Sequence, residues 1–131
     1  MRPIKFRYTC QNDQDEKDII QKIFTLEQIE EGHFYDWWQN LPDKYFKIVA
    51  RDRFIGLHAK NNKEIYHFDI LKTVDTLYLV DWHFNRWVLK NINRNMKIFE
   101  FNKIDFEAGF FEKIGDKFST SELLENPKSD S

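Results

Sequence analysis

His67 and Asp69 stand two residues apart in this chain, and so do Asp81 and His83. Residues i and i+2 of a β-strand project from the same face. Each pair would therefore set an imidazole beside a carboxylate. Two such strands paired in register would gather two histidines and two aspartates, a set suited to a metal ion or to general acid–base work. The spacing lacks a His-x-x-x-His ligand pattern, however, and two solvated strand faces account for the same residues more simply. His33 and His58 are isolated in the sequence and take no role.

A second group is basic. Arg86, Lys90, Arg94 and Lys97 follow one another around Trp87, and Arg51 and Arg53 share a strand face. Cations interleaved with aromatics on a small barrel can hold single-stranded nucleic acid, with phosphates paired and bases stacked. Acids are interspersed, and the net charge of −2 does not draw the chain as a whole toward nucleic acid. The charged outer face of an antiparallel sheet is the ordinary account. Nucleic-acid binding through Arg86, Trp87, Lys90 and Arg94 is thus the alternative reading.

The densest aromatic group is Phe34, Tyr35, Trp37 and Trp38. Their spacing covers more than one stripe of a helix, so a short helix cannot turn all of them to one core. Trp and Tyr are the usual anchors of protein interfaces, which makes Tyr35, Trp37 and Trp38 candidate protein-binding residues. A helix sandwiched between sheet and loop would instead bury them all. Phe106, Phe110 and Phe111 form a weaker group. Cys10 has no neighbours that would lower its pKa and reads as a buried strand-end thiol. The acids within 12–18 do not follow a calcium loop, and four widely separated glycines exclude a phosphate-binding loop. Nothing here calls for a cofactor or a metal, or indicates an enzyme.

The chain that must position these residues has 131 of them, which suits one domain with its own core. Aromatic residues make up 17%, more than such a core usually holds, so some should reach the surface and serve partner binding or self-association. The single cysteine excludes an intramolecular disulfide and points to a reducing cytoplasm. The N-terminus carries no apolar signal core, and no run approaches the roughly 20 apolar residues of a membrane span.

Local patterns place the elements. Ile4, Phe6 and Tyr8 alternate with Lys5, Arg7 and Thr9, which predicts a half-buried strand over Ile4–Cys10 with one apolar face. A second short strand is expected over Ile19–Phe24. Thr25, with Gln28 three residues on, is a capping-box signature that starts a helix, and Gly32 is its stop. A further short helix is expected over Phe34–Asn40, closed by Pro42. Strand returns over Lys44–Leu57, turns at Lys60–Lys63, and resumes over Glu64–Lys72. Leu77–His83 and Arg86–Asn91 form the clearest hairpin, around Phe84-Asn85. Ile98–Phe101 and Gly109–Ile114 are further strands, and Ser119 to Leu124 a last short helix. Many short strands with two or three short helices predict a mainly β or α+β fold, built on a small antiparallel, barrel-like sheet. One domain over residues 1–125 and a disordered tail over 126–131 complete the expectation.

The stretch from Phe54 to Ile70 adds a resemblance. It is similar to the YopX family of phage and prophage proteins, whose pattern runs T-G-L-K-D-K-N-G-K-E-I-Y-E-G-D-I. Gly56, Leu57, Lys60, Asn61, Lys63, Glu64, Ile65, Tyr66, Asp69 and Ile70 match it in order. Ile4-Lys5-Phe6-Arg7, Val80-Asp81-Trp82 and the stretch from Phe111 through Asn126 are similar to the family more weakly. Two family glycines fall at Asn62 and Phe68, and His67 stands where the family has Glu. Asn tolerates a left-handed turn. Phe at a glycine position implies local rearrangement or a new exposed anchor, which adds Phe68 to the protein-binding candidates. The resemblance implies a small β-rich domain of phage origin and no particular reaction. The functional expectation is a non-enzymatic accessory protein in the host cytoplasm that binds a host protein, with interference in a defence or regulatory complex as one such role. A metal-dependent enzyme at His67, Asp69, Asp81 and His83 is the least favoured reading.

Overall fold

The computed structural model describes residues 3–42, 44–100 and 109–125. The chain is mainly β, with antiparallel strand pairing and three short α-helices among the described residues, the fold class that the sequence predicts. It divides into two compact units, Met1–Phe54 and Ile55–Ser131. The tail expected over 126–131 lies outside the described residues, as does Phe106.

In the first unit β1 (Lys5–Asn12) pairs with β2 (Asp15–Thr25) on one side and with β3 (Phe46–His58) on the other. The expectation of one apolar and one wet face on β1 is corrected here. Tyr8 is buried, but so are Arg7, Thr9 and Cys10. The polar face can be buried because Arg7 and Thr9 meet partners on neighbouring strands. Arg7 stands opposite Asp52 in register and pairs with it at 3.1 Å. Thr9 stands opposite Gln21, whose amide donates to the Thr9 hydroxyl.

Helix α1 (Leu26–Glu30) starts where the capping box places it. The Gln28 amide donates to the Thr25 hydroxyl at 3.1 Å, and the Thr25 amide donates to the Gln28 side chain at 2.9 Å. Gly32, at φ +88°, breaks the chain direction and caps α2 (His33–Gln39).

In the second unit β3 runs on to His58, and a turn returns the chain into its neighbour β4 (Glu64–Tyr66). Asn62 sits at the left-handed φ of +61° that the family pattern gives to glycine. Next come β5 (Asp69–Lys72), β6 (Leu77–His83), β7 (Arg86–Asn91), β8 (Lys97–Glu100) and β9 (Glu112–Asp116), in spatial order β8-β7-β6-β5-β9. The continuous strand expected over Glu64–Lys72 is two strands. They part at His67-Phe68, where Phe68 adopts φ +69°. The β6–β7 hairpin has the expected bounds, with both turn residues left-handed, Phe84 at +47° and Asn85 at +64°.

Neighbouring residues along these strands enter different clusters. Leu71, Val80 and Leu89 pack with Ile55, Ile65 and Phe111. Ile70, Leu79 and Ile92 pack together, with Phe68, Ile114, Leu123 and Leu124 against them. The sheet is therefore apolar on both faces, and the last helix, α3 (Glu122–Glu125), carries Leu123 and Leu124 to the second cluster.

Candidate functional site

Helix α2 sorts its four aromatics into two stripes. Successive residues of a helix turn by about 100°, so Phe34 and Trp37 lie on one stripe and Tyr35 and Trp38 on another. The first stripe packs inward. The Phe34 ring stacks on Tyr8 with centroids 4.0 Å apart, and Trp37 tilts against Phe24 at 5.7 Å. Tyr8 and Phe24 are themselves buried on β1 and β2. The second stripe remains in solvent. Tyr35 is 55% exposed and Trp38 39% exposed, with their rings paired at 6.1 Å. Of the three helix candidates, then, Tyr35 and Trp38 present a surface, and Trp37 is half-buried against the sheet. Beside Trp38 opens a groove of about 430 Å³, lined by Trp38, Gln39, Leu41, Lys44 and Phe46.

The fourth candidate, Phe68, is half-buried. Its ring stacks on His67 at 3.8 Å, packs against the Ile70–Leu79–Ile92 cluster, and carries the Lys117 ammonium 4.3 Å from its centroid. The ring is engaged in folding on several sides. The backbone keeps the left-handed conformation of a glycine, so it is the side chain that has been accommodated.

The His67, Asp69, Asp81 and His83 set does not converge. His67 Nε2 and Asp81 Oδ1 do meet, at 2.7 Å, and the Lys90 ammonium lies 2.7 Å from Asp81 Oδ2. Asp69 is turned elsewhere and fully buried. It accepts from the Tyr66 amide at 2.6 Å and pairs with Lys113 at 3.0 Å. The His83 ring packs edge-on against Phe84. Spacing i, i+2 implies one face only along an unbroken strand, and the left-handed Phe68 lies between His67 and Asp69. Among the described residues no three His, Cys, Asp or Glu side chains are grouped to hold a metal ion.

Burial pushes the Asp81 carboxyl pKa up, but the hydrogen bonds from Lys90, His67 and the Trp82 amide, with the charge of Lys90, outweigh it and hold the group below its ordinary value. Cys10 is fully buried, and burial pushes its thiol pKa up, opposite to what a nucleophile needs.

The basic group is largely neutralised in place. Arg86 pairs with Glu100 at 2.9 Å, and Lys90 with Asp81. Trp87 is half-buried, packed on the first cluster of the second unit and edge-on to Trp82 at 4.8 Å. Arg94 is exposed on the short 3₁₀ turn Ile92–Arg94. Arg51 lies 4.8 Å from the Phe6 ring centroid. Phe84 was not singled out by its sequence position, yet it is 85% exposed at a hairpin tip. The signal was present, because a bulky residue in a two-residue hairpin turn must accept a left-handed backbone that Asn and Gly adopt more cheaply.

Mainly antiparallel sheet and short helices describe a small β-rich protein, with an exposed aromatic pair beside a groove. The chain belongs to the YopX family: the family model described as YopX protein matches residues 4–125. A search of curated proteins finds no match. No helix among the described residues is long and apolar enough to cross a membrane.

Proposed function

We propose that the chain is a non-enzymatic accessory protein of a phage or prophage that acts by binding a protein of the bacterial host. The observation that carries this reading is the Tyr35–Trp38 pair. Both rings are held out of the core by a helix whose other aromatic stripe packs against the sheet. Trp and Tyr supply large contact areas at low cost in side-chain entropy and dominate the energetics of many interfaces. The adjacent groove gives a partner side chain somewhere to enter. Binding would take place in the host cytoplasm, and interference with a defence or regulatory complex is the role that fits such a protein.

The test is affinity capture from host lysate with the full chain and with a Tyr35→Ala/Trp38→Ala variant, read by mass spectrometry. The expected result is a host protein retained by the first and lost by the second. Equal retention by both would remove the surface from the proposal. Binding of single-stranded or duplex probes at low salt, abolished by substituting Arg86, Trp87, Lys90 and Arg94, would favour the nucleic-acid reading instead.

A further inference from the structure

Phe84 occupies a position that folding does not explain. It is the first of the two turn residues between β6 and β7, at φ +47°, and its side chain stands 85% exposed. A left-handed backbone strains a residue with a bulky side chain, and Asn, Asp or Gly would make the same turn with less strain. A ring so exposed gains little through burial. Its one ring contact among the described residues is edge-on to His83, its neighbour in sequence, at 4.3 Å. Trp82, two residues back and 48% exposed, stands opposite Trp87 in the hairpin. The two indoles meet edge-on at 4.8 Å and brace the ribbon below the turn. The tip is therefore an aromatic knob on a firm base, and backbone strain with no return in packing is characteristic of functional positions.

Resting on the protein-binding role proposed above, we infer that Phe84 is an anchor that enters an apolar pocket on the partner protein, as a contact separate from the Tyr35–Trp38 pair. The size and charge of the tip select this occupant. The exposed parts of Phe84 and Trp82 amount to roughly 300 Å². A stable interface needs about 800 Å² from each partner, so the tip alone cannot hold a second copy of the chain. Two rings also carry a smaller apolar load than one acyl chain, which binds a membrane only marginally without a basic patch. Among the described residues the tip has no such patch. Arg86 is paired with Glu100 at 2.9 Å and Lys90 with Asp81 at 2.7 Å. Arg94 and Lys97 lie past the far end of β7, about 20 Å away along the strand. The same pairing leaves no free cation at the tip to hold the phosphates of a stacked single strand. A concave apolar pocket requires neither a large area nor a charge. It takes the projecting ring wholly out of water, which is how one aromatic side chain comes to dominate an interface.

The first measurement needs no partner. Phe84→Asn in the full chain is expected to raise the thermal midpoint by about 2–5 °C, because Asn accepts the left-handed turn. A midpoint that falls or does not move would mean that the ring serves folding, and would overturn the inference. The host protein retained by the full chain is then titrated with wild type, Phe84→Asn and Phe84→Trp. Affinity should fall at least about tenfold for Phe84→Asn and stay within a few-fold for Phe84→Trp, which keeps an aromatic anchor. A benzophenone side chain at position 84 should crosslink to the same host protein at apolar residues. Equal affinity of wild type and Phe84→Asn, or a crosslink confined to polar surface, overturns the inference. So does cosedimentation with phosphatidylcholine–phosphatidylserine vesicles, or self-association in the ultracentrifuge, that Phe84→Asn abolishes. If Tyr35→Ala/Trp38→Ala releases the host protein and Phe84→Asn does not, the binding role stands and the tip contact is refuted. If the full chain retains no host protein, both fail.

Discussion

The Arg7 guanidinium meets the Asp52 carboxylate at 3.1 Å across adjacent strands, with the two side chains only 5% and 3% exposed. A buried ion pair adds little net stability over an apolar pair of the same shape, but breaking it leaves a charge stranded away from water. Asp52→Ala is therefore expected to cost about 3–5 kcal/mol, a large share of the 5–15 kcal/mol typical of a whole domain. Arg7→Met/Asp52→Leu should recover most of that loss. Urea unfolding of the three proteins checks the order. A single substitution as mild as the double one would mean that the pair is not buried as described.

Phe68 poses two opposing terms. Its left-handed φ of +69° favours glycine, while its half-buried ring contributes packing worth about 2 kcal/mol. Both Phe68→Gly and Phe68→Ala should destabilise, since each loses the ring. The glycine variant should be the more stable of the two by roughly 1 kcal/mol, because alanine keeps the backbone strain. Thermal or urea midpoints decide this, and an alanine variant at least as stable as the glycine one would argue against the left-handed backbone.

Asp81 has its pKa lowered in the folded protein, so it binds protons more weakly there than in the unfolded chain. Its contribution to stability is fully present above the unfolded value, near 3.8, and is lost as pH falls through the lower folded value. The wild type should exceed Asp81→Asn in stability at neutral pH, and the gap should narrow only below about pH 4. Melting temperatures of both proteins across the acid range provide the measurement. A gap that does not change with pH would show that the carboxylate gains nothing from its partners.

The two stripes of α2 should separate in stability measurements. Tyr35→Ala and Trp38→Ala are each expected to change the unfolding free energy by less than about 1 kcal/mol, as exposed residues do. Phe34→Ala, which removes the ring stacked on Tyr8, should cost about 2–3 kcal/mol. Comparable losses at all three positions would mean that the helix is buried on both sides and offers no free aromatic surface.

Much of this was legible locally. Thr25 and Gln28 announce a helix because their hydrogen bonds span only three residues. The β6–β7 hairpin follows from alternation and a two-residue gap. The left-handed Asn62 agrees with the glycine of the family pattern. The four aromatics of α2 showed from their spacing that they could not share one core, although which pair would face solvent was not readable from the helix alone.

What the sequence determined by itself was therefore most of the elements, the Thr25–Gln28 cap, the β6–β7 hairpin turn and membership of the YopX family, all of which depend on neighbours a few residues apart or on a linear pattern. The tertiary structure decided which faces are wet. Arg7 is buried because Asp52, 45 positions away in sequence, lies opposite it on β3. Tyr35 and Trp38 are exposed because Tyr8 and Phe24 take the other stripe of the helix. His67 and Asp69 part company because one left-handed residue between them resets the strand alternation. Burial is a property of pairs brought together by strand pairing and packing, and no local pattern carries the identity of a residue's distant partner.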